Sequence, residues 1–150
     1  MKSLQQIQYL IDEYQRLYRN LNLAPFVRGE IYSLYNRDRS SVVEAKLFWP
    51  ETWPLCDRYG IYAIFADELL LYIGKASLQP LGNRLGSYFR YSEDRQSGIP
   101  KNGHVWTRMP THVVTWAVPT ESFFEASALE EYLIFNLGEL LVDNELGKHT

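Results

Sequence analysis

The stretch "GIYAIFADELLLYIG", Gly60 to Gly74, constrains this chain more than any other. It reads Gly-Ile-Tyr at one end and the reverse at the other, with nine residues, Ala63 to Leu71, between them. Aliphatic and aromatic runs on either side of Asp67 read as the two strands of a hairpin. Pairing them around Asp67 sets Ile61 opposite Ile73, Ala63 opposite Leu71 and Phe65 opposite Leu69 on one apolar face. The other face then presents Gly60 with Gly74, Tyr62 with Tyr72 and Ile64 with Leu70. Two phenols would stand beside two glycines whose bare backbone allows close approach. Two readings are open at this point: a cleft that needs both hydroxyls, or an aromatic pair that stabilises the sheet by roughly 0.5 to 1 kcal/mol.

With 150 residues, 46% of them hydrophobic and 22% charged, the chain has material for one soluble globular domain. "MKSLQQIQ" has no apolar core of the kind a secretory signal carries, and no apolar run is long enough to span a bilayer, so no membrane is expected and the cytoplasm is the expected compartment. One cysteine, Cys56, excludes an internal disulfide and thiolate zinc sites. His104, His112 and His149 show no ligand spacing on a common helix face. The net charge of −3 argues against a polyanion partner, but its distribution does not. Lys75 to Arg108 holds six basic residues against Glu93 and Asp94, whereas Met109 to Thr150 holds only Lys148 against seven acids. Such segregation can place a basic face on an acidic molecule.

Leu4, Ile7, Ile11, Tyr14, Leu17, Tyr18 and Leu21 recur at helical steps, which predicts an amphipathic helix over residues 3–21, with Ser3 and Gln6 as its capping box. Residues 22–59 carry Pro25, Gly29, Pro50 and Pro54 together with Trp49 and Trp53, an ordered connection anchored by aromatics. Within it Arg28, Arg37 and Arg39 alternate with Tyr32 and Tyr35. That pattern suits either nucleic-acid contact by charge and stacking or a strand and turn with a solvated edge. After the hairpin a helix is expected over 79–91, then an irregular loop to Pro110, a strand over 112–118, and a helix from a capping box at Ser122 and Glu125 to Gly138. The expected architecture is α+β. A small central three-stranded mixed or antiparallel sheet is flanked by helices in 60–150, with 1–59 as an N-terminal extension packed on it.

Two positions outside the hairpin carry chemistry. On the 79–91 helix Leu81, Leu85 and Phe89 form an apolar stripe, and Arg84 with Tyr88 lies on its flank, where packing would aim a guanidinium at two phosphate oxygens. A snorkelling arginine is the alternative. On the last helix Glu130 falls about 100° from Leu129, inside the apolar arc of Ala126, Leu133, Leu137, Phe123 and Ile134, while Glu125 and Glu131 fall outside it. A carboxylate in that arc needs a metal or an ionic partner, and Arg84 is the obvious partner.

Three blocks in this order resemble a known family. "GIY" and "YIG" at this spacing look like the signature of the GIY-YIG endonuclease superfamily. "GKASLQPLGNRLGSYFR" is similar to the matching stretch of the nuclease domain of the excision-repair protein UvrC, and "EASALEEYLI" to the family's glutamate helix. The stretch from Lys75 to Arg84 is slightly longer than the UvrC-like pattern, with Gln79 and Pro80 the addition. The resemblance covers Gly60 to Asn144 and leaves residues 1–59 unmatched. It implies a metal-dependent DNA endonuclease that leaves 5′-phosphate and 3′-hydroxyl ends. In that role Glu130 would hold one Mg²⁺ or Mn²⁺, and Arg84 would neutralise the scissile phosphate. Tyr62 or Tyr72, helped by Lys75, would take a proton from water. Tyr88 would stand where many members have histidine, and Asn144 would close the domain at the site. Lys75, Arg84, Arg90 and Asn144 would contact DNA. Cutting both strands would take a homodimer, two sequential nicks or a partner protein. A binding module without cleavage and an interaction or regulatory protein on the same scaffold are the competing readings.

Overall fold

The computed structural model describes residues 1–37 and 42–144. Its centre is Gly60–Ala66 (β4), in which all seven residues are buried. An unbroken apolar run of this kind belongs to a strand covered on both faces. Leu69–Ala76 (β5) pairs with it antiparallel through a two-residue turn at Asp67 and Glu68, where Asp67 takes φ 51°. His112–Ala117 (β8) pairs antiparallel with the other side of β4, as the β-branched run "HVVTWA" predicts.

The sheet extends beyond these three strands. Val27–Arg28 (β1) and Tyr32–Ser33 (β2) lie in succession along the far side of β8, both antiparallel, and Leu47–Phe48 (β3) adds parallel to β2. The result is a six-stranded mixed sheet in the order β3, β2, β8, β4, β5, with β1 also on β8. The expected α+β class holds, but the expected three-stranded sheet is only the half that runs from β8 to the β5 edge. Segments this short carry no alternation that a sequence could display.

Register is the first correction. From Gly60↔Ala76 to Ile64↔Tyr72 the partners sit two residues out of the expected alignment, then the pairing closes through Phe65↔Leu70 and Ala66↔Leu69. Leu71 is the extra residue of a β-bulge, which bends one strand and moves side chains between faces. Leu70 therefore joins Ile61, Ala63, Phe65 and Ile73 on one face, and Leu71 joins Tyr62, Ile64 and Tyr72 on the other, reversing the two leucines. Tyr62 pairs with Gly74, not with Tyr72.

The helix Lys2–Tyr18 (α1) and the helix Glu125–Leu137 (α3) cover the Ile61 face. Leu4, Ile7, Leu10 and Ile11 of α1 are buried, while Leu17, Tyr18 and Leu21 are exposed, so the helix stops short of the expected end. Ser3 makes no cap; its hydroxyl donates to the Glu68 carbonyl at 3.1 Å and ties α1 to the hairpin turn. The opposite face carries Leu81–Gly86 (α2), whose Leu81 and Leu85 are fully buried, with Trp49 and Phe89 beside them. This helix has six residues, far fewer than expected: Ser87 Oγ donates to the Arg84 carbonyl and closes it just after Gly86. The chain then runs extended as Phe89–Tyr91 (β6), where the end of the helix was expected, and pairs with Gly98–Pro100 (β7), where an irregular loop was expected, in a small second sheet. No described helix is long and apolar enough to cross a membrane.

The aromatic pattern near residue 32 resolves as structure. Tyr32 is fully buried, donates to the Glu51 carbonyl at 2.7 Å and packs 4.5 Å from the Trp53 ring, so no base can stack on it. Arg28 lies exposed on β1, Tyr35 bridges to Ser97, and Arg37 sits 3.7 Å from Glu51. Arg39 and His149 lie outside the described residues.

Candidate active site

β5 is the edge of the large sheet, and a cluster of phenols forms there because one backbone position is bare. A side chain at Gly74 would fall onto the Oη and Cζ of Tyr62. The glycine therefore makes room for Tyr62 to lie across its neighbour strand, and the close approach inferred from sequence is made by the protein's own ring. Gly60 is needed for a different reason, since a Cβ there would meet the Trp116 carbonyl.

Tyr62 donates to Tyr88 Oη at 2.9 Å, and Arg84 Nη2 donates to the same oxygen at 3.2 Å. The Tyr72 ring lies 6.3 Å from Tyr62 and 6.1 Å from Tyr88. Tyr88 stands beyond the end of α2, yet it reaches Arg84 as a helical spacing of four would have it. Three phenols and one guanidinium thus share a half-buried corner. Burial pushes the phenols of Tyr62 and Tyr72 well above the ordinary tyrosine value, Tyr88 adds to the rise in both, and Arg84 pulls them partly back. The two differ in access: Tyr62 is completely buried, whereas half-buried Tyr72 lines a cavity of about 750 Å³ together with Glu130.

Glu130 enters that cavity from α3. Its carboxylate has no hydrogen bond or ion pair among the described residues, so the expected pair with Arg84 is not formed. Burial raises its pKa, while Lys75 and Arg84 oppose the rise without cancelling it. The fully packed glutamate of this helix is another one. Glu125, expected to face outward, is 7% exposed and accepts from Arg19 Nε at 2.7 Å and Nη2 at 2.8 Å, and from Ser122 Oγ at 2.6 Å. Burial alone would raise its pKa, but these donors hold it below the usual carboxylate value. Helical angle placed Glu125 wrongly because Phe123, counted in the apolar arc, is 42% exposed.

The remaining expected residues divide. Lys75 donates to Ser127 Oγ on α3 at 3.1 Å and acts electrostatically on Glu130; the cation that lowers the phenols is Arg84. Asn144 is buried, and its amide is engaged on both sides by Ile73, accepting from its N–H and donating to its carbonyl at 2.9 Å each. It closes the open edge of β5 and lines the same cavity as Tyr72 and Glu130. Arg90 is exposed and separate, its guanidinium donating to the Tyr91 carbonyl at 3.3 Å.

Two residues of the site carried no sequence signal beyond their type. His104 and Trp106 belong to the irregular segment before β8, stack on each other with centroids 4.3 Å apart, and reach Tyr72 at 5.5 and 6.0 Å and Tyr88 at 6.2 Å each. A smaller notch of about 270 Å³ on their other side is lined by Arg84, Tyr88 and Lys101. The carboxylate cavity and the cationic notch thus meet at His104.

A hard divalent cation fits this arrangement. A desolvated carboxylate without a protein partner, in a cavity roomy enough for water and phosphate oxygens, suits Mg²⁺ or Mn²⁺, which keep several such ligands. An all-protein cage does not fit, since no group of three His, Cys, Asp or Glu side chains is poised to hold a metal among the described residues. No known family model, curated protein or solved structure matches the chain.

Proposed function

We propose that this protein is a metal-dependent DNA endonuclease of the GIY-YIG type, hydrolysing a phosphodiester to 5′-phosphate and 3′-hydroxyl ends. The observation that carries the reading is the partnerless, desolvated Glu130 facing the same cavity as Tyr72, with Arg84 held at the adjoining notch. A purely structural carboxylate would have a partner, as Glu125 has.

Glu130, with water and a phosphate oxygen, would hold one Mg²⁺ or Mn²⁺. Such an ion stabilises charge on the phosphoryl group and the departing 3′ oxygen. Arg84 binds the scissile phosphate; its Nη2 is already directed by Tyr88, which lowers the cost of orienting it. Tyr72 is the phenol that takes the water proton at Oη, acting as its phenolate after giving its own proton to solvent in the cavity; it lines the cavity, whereas Tyr62 is fully buried and positions Tyr88. Lys75, bonded to Ser127, offsets the charge of Glu130 and opposes the rise in its pKa that burial causes.

The test is cleavage of supercoiled plasmid and of branched or damaged duplexes with Mg²⁺ or EDTA, alongside Glu130→Ala and Arg84→Ala. Metal-dependent nicking that both substitutions abolish is expected. Nicking that survives them overturns the site, and failure to cut any substrate leaves the binding-module reading.

A further inference from the structure

We infer that a groove adjoining the notch holds an unpaired stretch of the nucleic-acid strand next to the phosphate that is cut. This deepens the nuclease reading and rests on it for the position of the scissile phosphate. The groove, of about 500 Å³, lies between β7 and the segment leading to β8. Arg90, Lys101 and Arg108 line it, and no carboxylate does. None of the three cations has an ion-pair partner among the described residues, and Arg108 makes no hydrogen bond among them either. Cations gathered without counter-charges await an anion from outside. The groove shares Lys101, Asn102, Gly103 and His104 with the notch that holds Arg84, so a chain of phosphates leaving Arg84 is led straight into it.

The walls decide which form of strand fits. Ile99, Trp106 and Met109 supply apolar surface between the cations, Met109 being 56% exposed. A duplex turns phosphates, sugars and the edges of its bases toward a protein surface and keeps its base faces stacked inside. It would leave this apolar wall covered by charge. An unpaired strand presents phosphate and base face together, and cations interleaved with apolar and aromatic side chains match that alternation.

The experiment measures binding apart from cleavage. Glu130→Gln protein without metal is titrated with a labelled oligothymidylate and with a blunt duplex of equal length, across a salt series. The same is done with Arg90→Ala/Arg108→Ala in that background; both positions are exposed, so the fold is retained and is checked by the unfolding midpoint. The double variant is expected to weaken single-strand binding about tenfold and to reduce its salt slope by about 1.4, two phosphate contacts at about 0.7 each. Met109→Ser is expected to weaken single-strand binding without changing the slope. Duplex binding should change less than twofold in both. Equal losses for duplex and single strand, or no loss, would overturn the inference. Plasmid nicking by the wild-type protein with Mg²⁺ is read separately. Binding that behaves as expected without nicking refutes the nuclease reading alone, and nicking without strand preference refutes the groove alone.

Discussion

Glu125 and Glu130 sit five residues apart on one helix, and their carboxylates live in opposite surroundings. Glu125 gains donors from Arg19 and Ser122, so its pKa is depressed. A depressed carboxyl contributes stability above its unfolded pKa and loses it as pH falls through the folded value. Glu130 loses water without gaining a partner, so its pKa is raised and its ionised form weighs against folding at neutral pH. Glu130→Gln should therefore abolish metal-dependent cleavage while raising neutral-pH stability by roughly 0.5 to 2 kcal/mol. The gain should close as pH falls below the ordinary carboxyl value of about 4.3. Urea unfolding at neutral and acid pH reads both halves; a variant that is less stable at pH 7 would argue for a structural role. Among the phenols, Tyr72→Phe is expected to lower cleavage roughly 10²- to 10⁴-fold, the range for losing a general base. Because burial holds the Tyr72 hydroxyl above its ordinary value, the wild-type rate should keep rising with pH through the alkaline range, and the pH profile of Tyr72→Phe should flatten.

At the scale of elements, the Arg19–Glu125 pair shows how α1 is fastened to α3. Both side chains are nearly inaccessible, 4% and 9% exposed, and Arg19 follows directly on the end of α1. Gln8 accepts from the Trp116 indole at 2.9 Å, and Glu13 accepts from Tyr132 at 2.6 Å, fastening the same helix to β8 and α3. Arg19→Met leaves a buried carboxylate with only the Ser122 hydroxyl and should cost about 3 to 5 kcal/mol, the range for breaking a buried pair. Chemical denaturation should show that loss at neutral pH and a smaller one in acid, where Glu125 takes a proton. The hairpin supplies a second test. Gly74→Ala drives a methyl into the Tyr62 ring and should cost about 1 to 3 kcal/mol, with a fall in cleavage as Tyr88 and Arg84 lose their alignment. Unchanged stability and activity would mean that the ring is free to move aside.

For the molecule as a whole, the site depends on both faces of one sheet edge. α2 brings Arg84 against the face that carries Tyr62, and α3 brings Glu130 past β5 from the other. Residues 1–59 are built into this frame: β1 and β2 pair with β8, and α1 covers Leu129 and Leu133. A fragment of residues 60–150 should lack a cooperative transition, because β8 loses β1 and β2 and Glu125 loses Arg19. Near-UV circular dichroism and thermal unfolding check this; a native-like, active fragment would show that the N-terminal residues only decorate the domain.

Short-range patterns carried much of this in the sequence alone. The mirrored tripeptides specified a hairpin with Tyr62 and Tyr72 on one face, since a shift of two residues preserves the alternation. β8, α1 and α3 were legible from β-branched content and helical periodicity, both of which are local. Arg84 and Tyr88 four residues apart indicated a contact that survives even though α2 ends between them. The tertiary structure decided what depends on distant partners. The Leu71 bulge is a property of pairing, not of either strand. Arg19, 106 residues from Glu125, determines which of the two glutamates gains an ionic partner. His104 and Trp106 join the site from a segment without periodicity, because packing against Tyr72 and Tyr88, and no local pattern, holds them there.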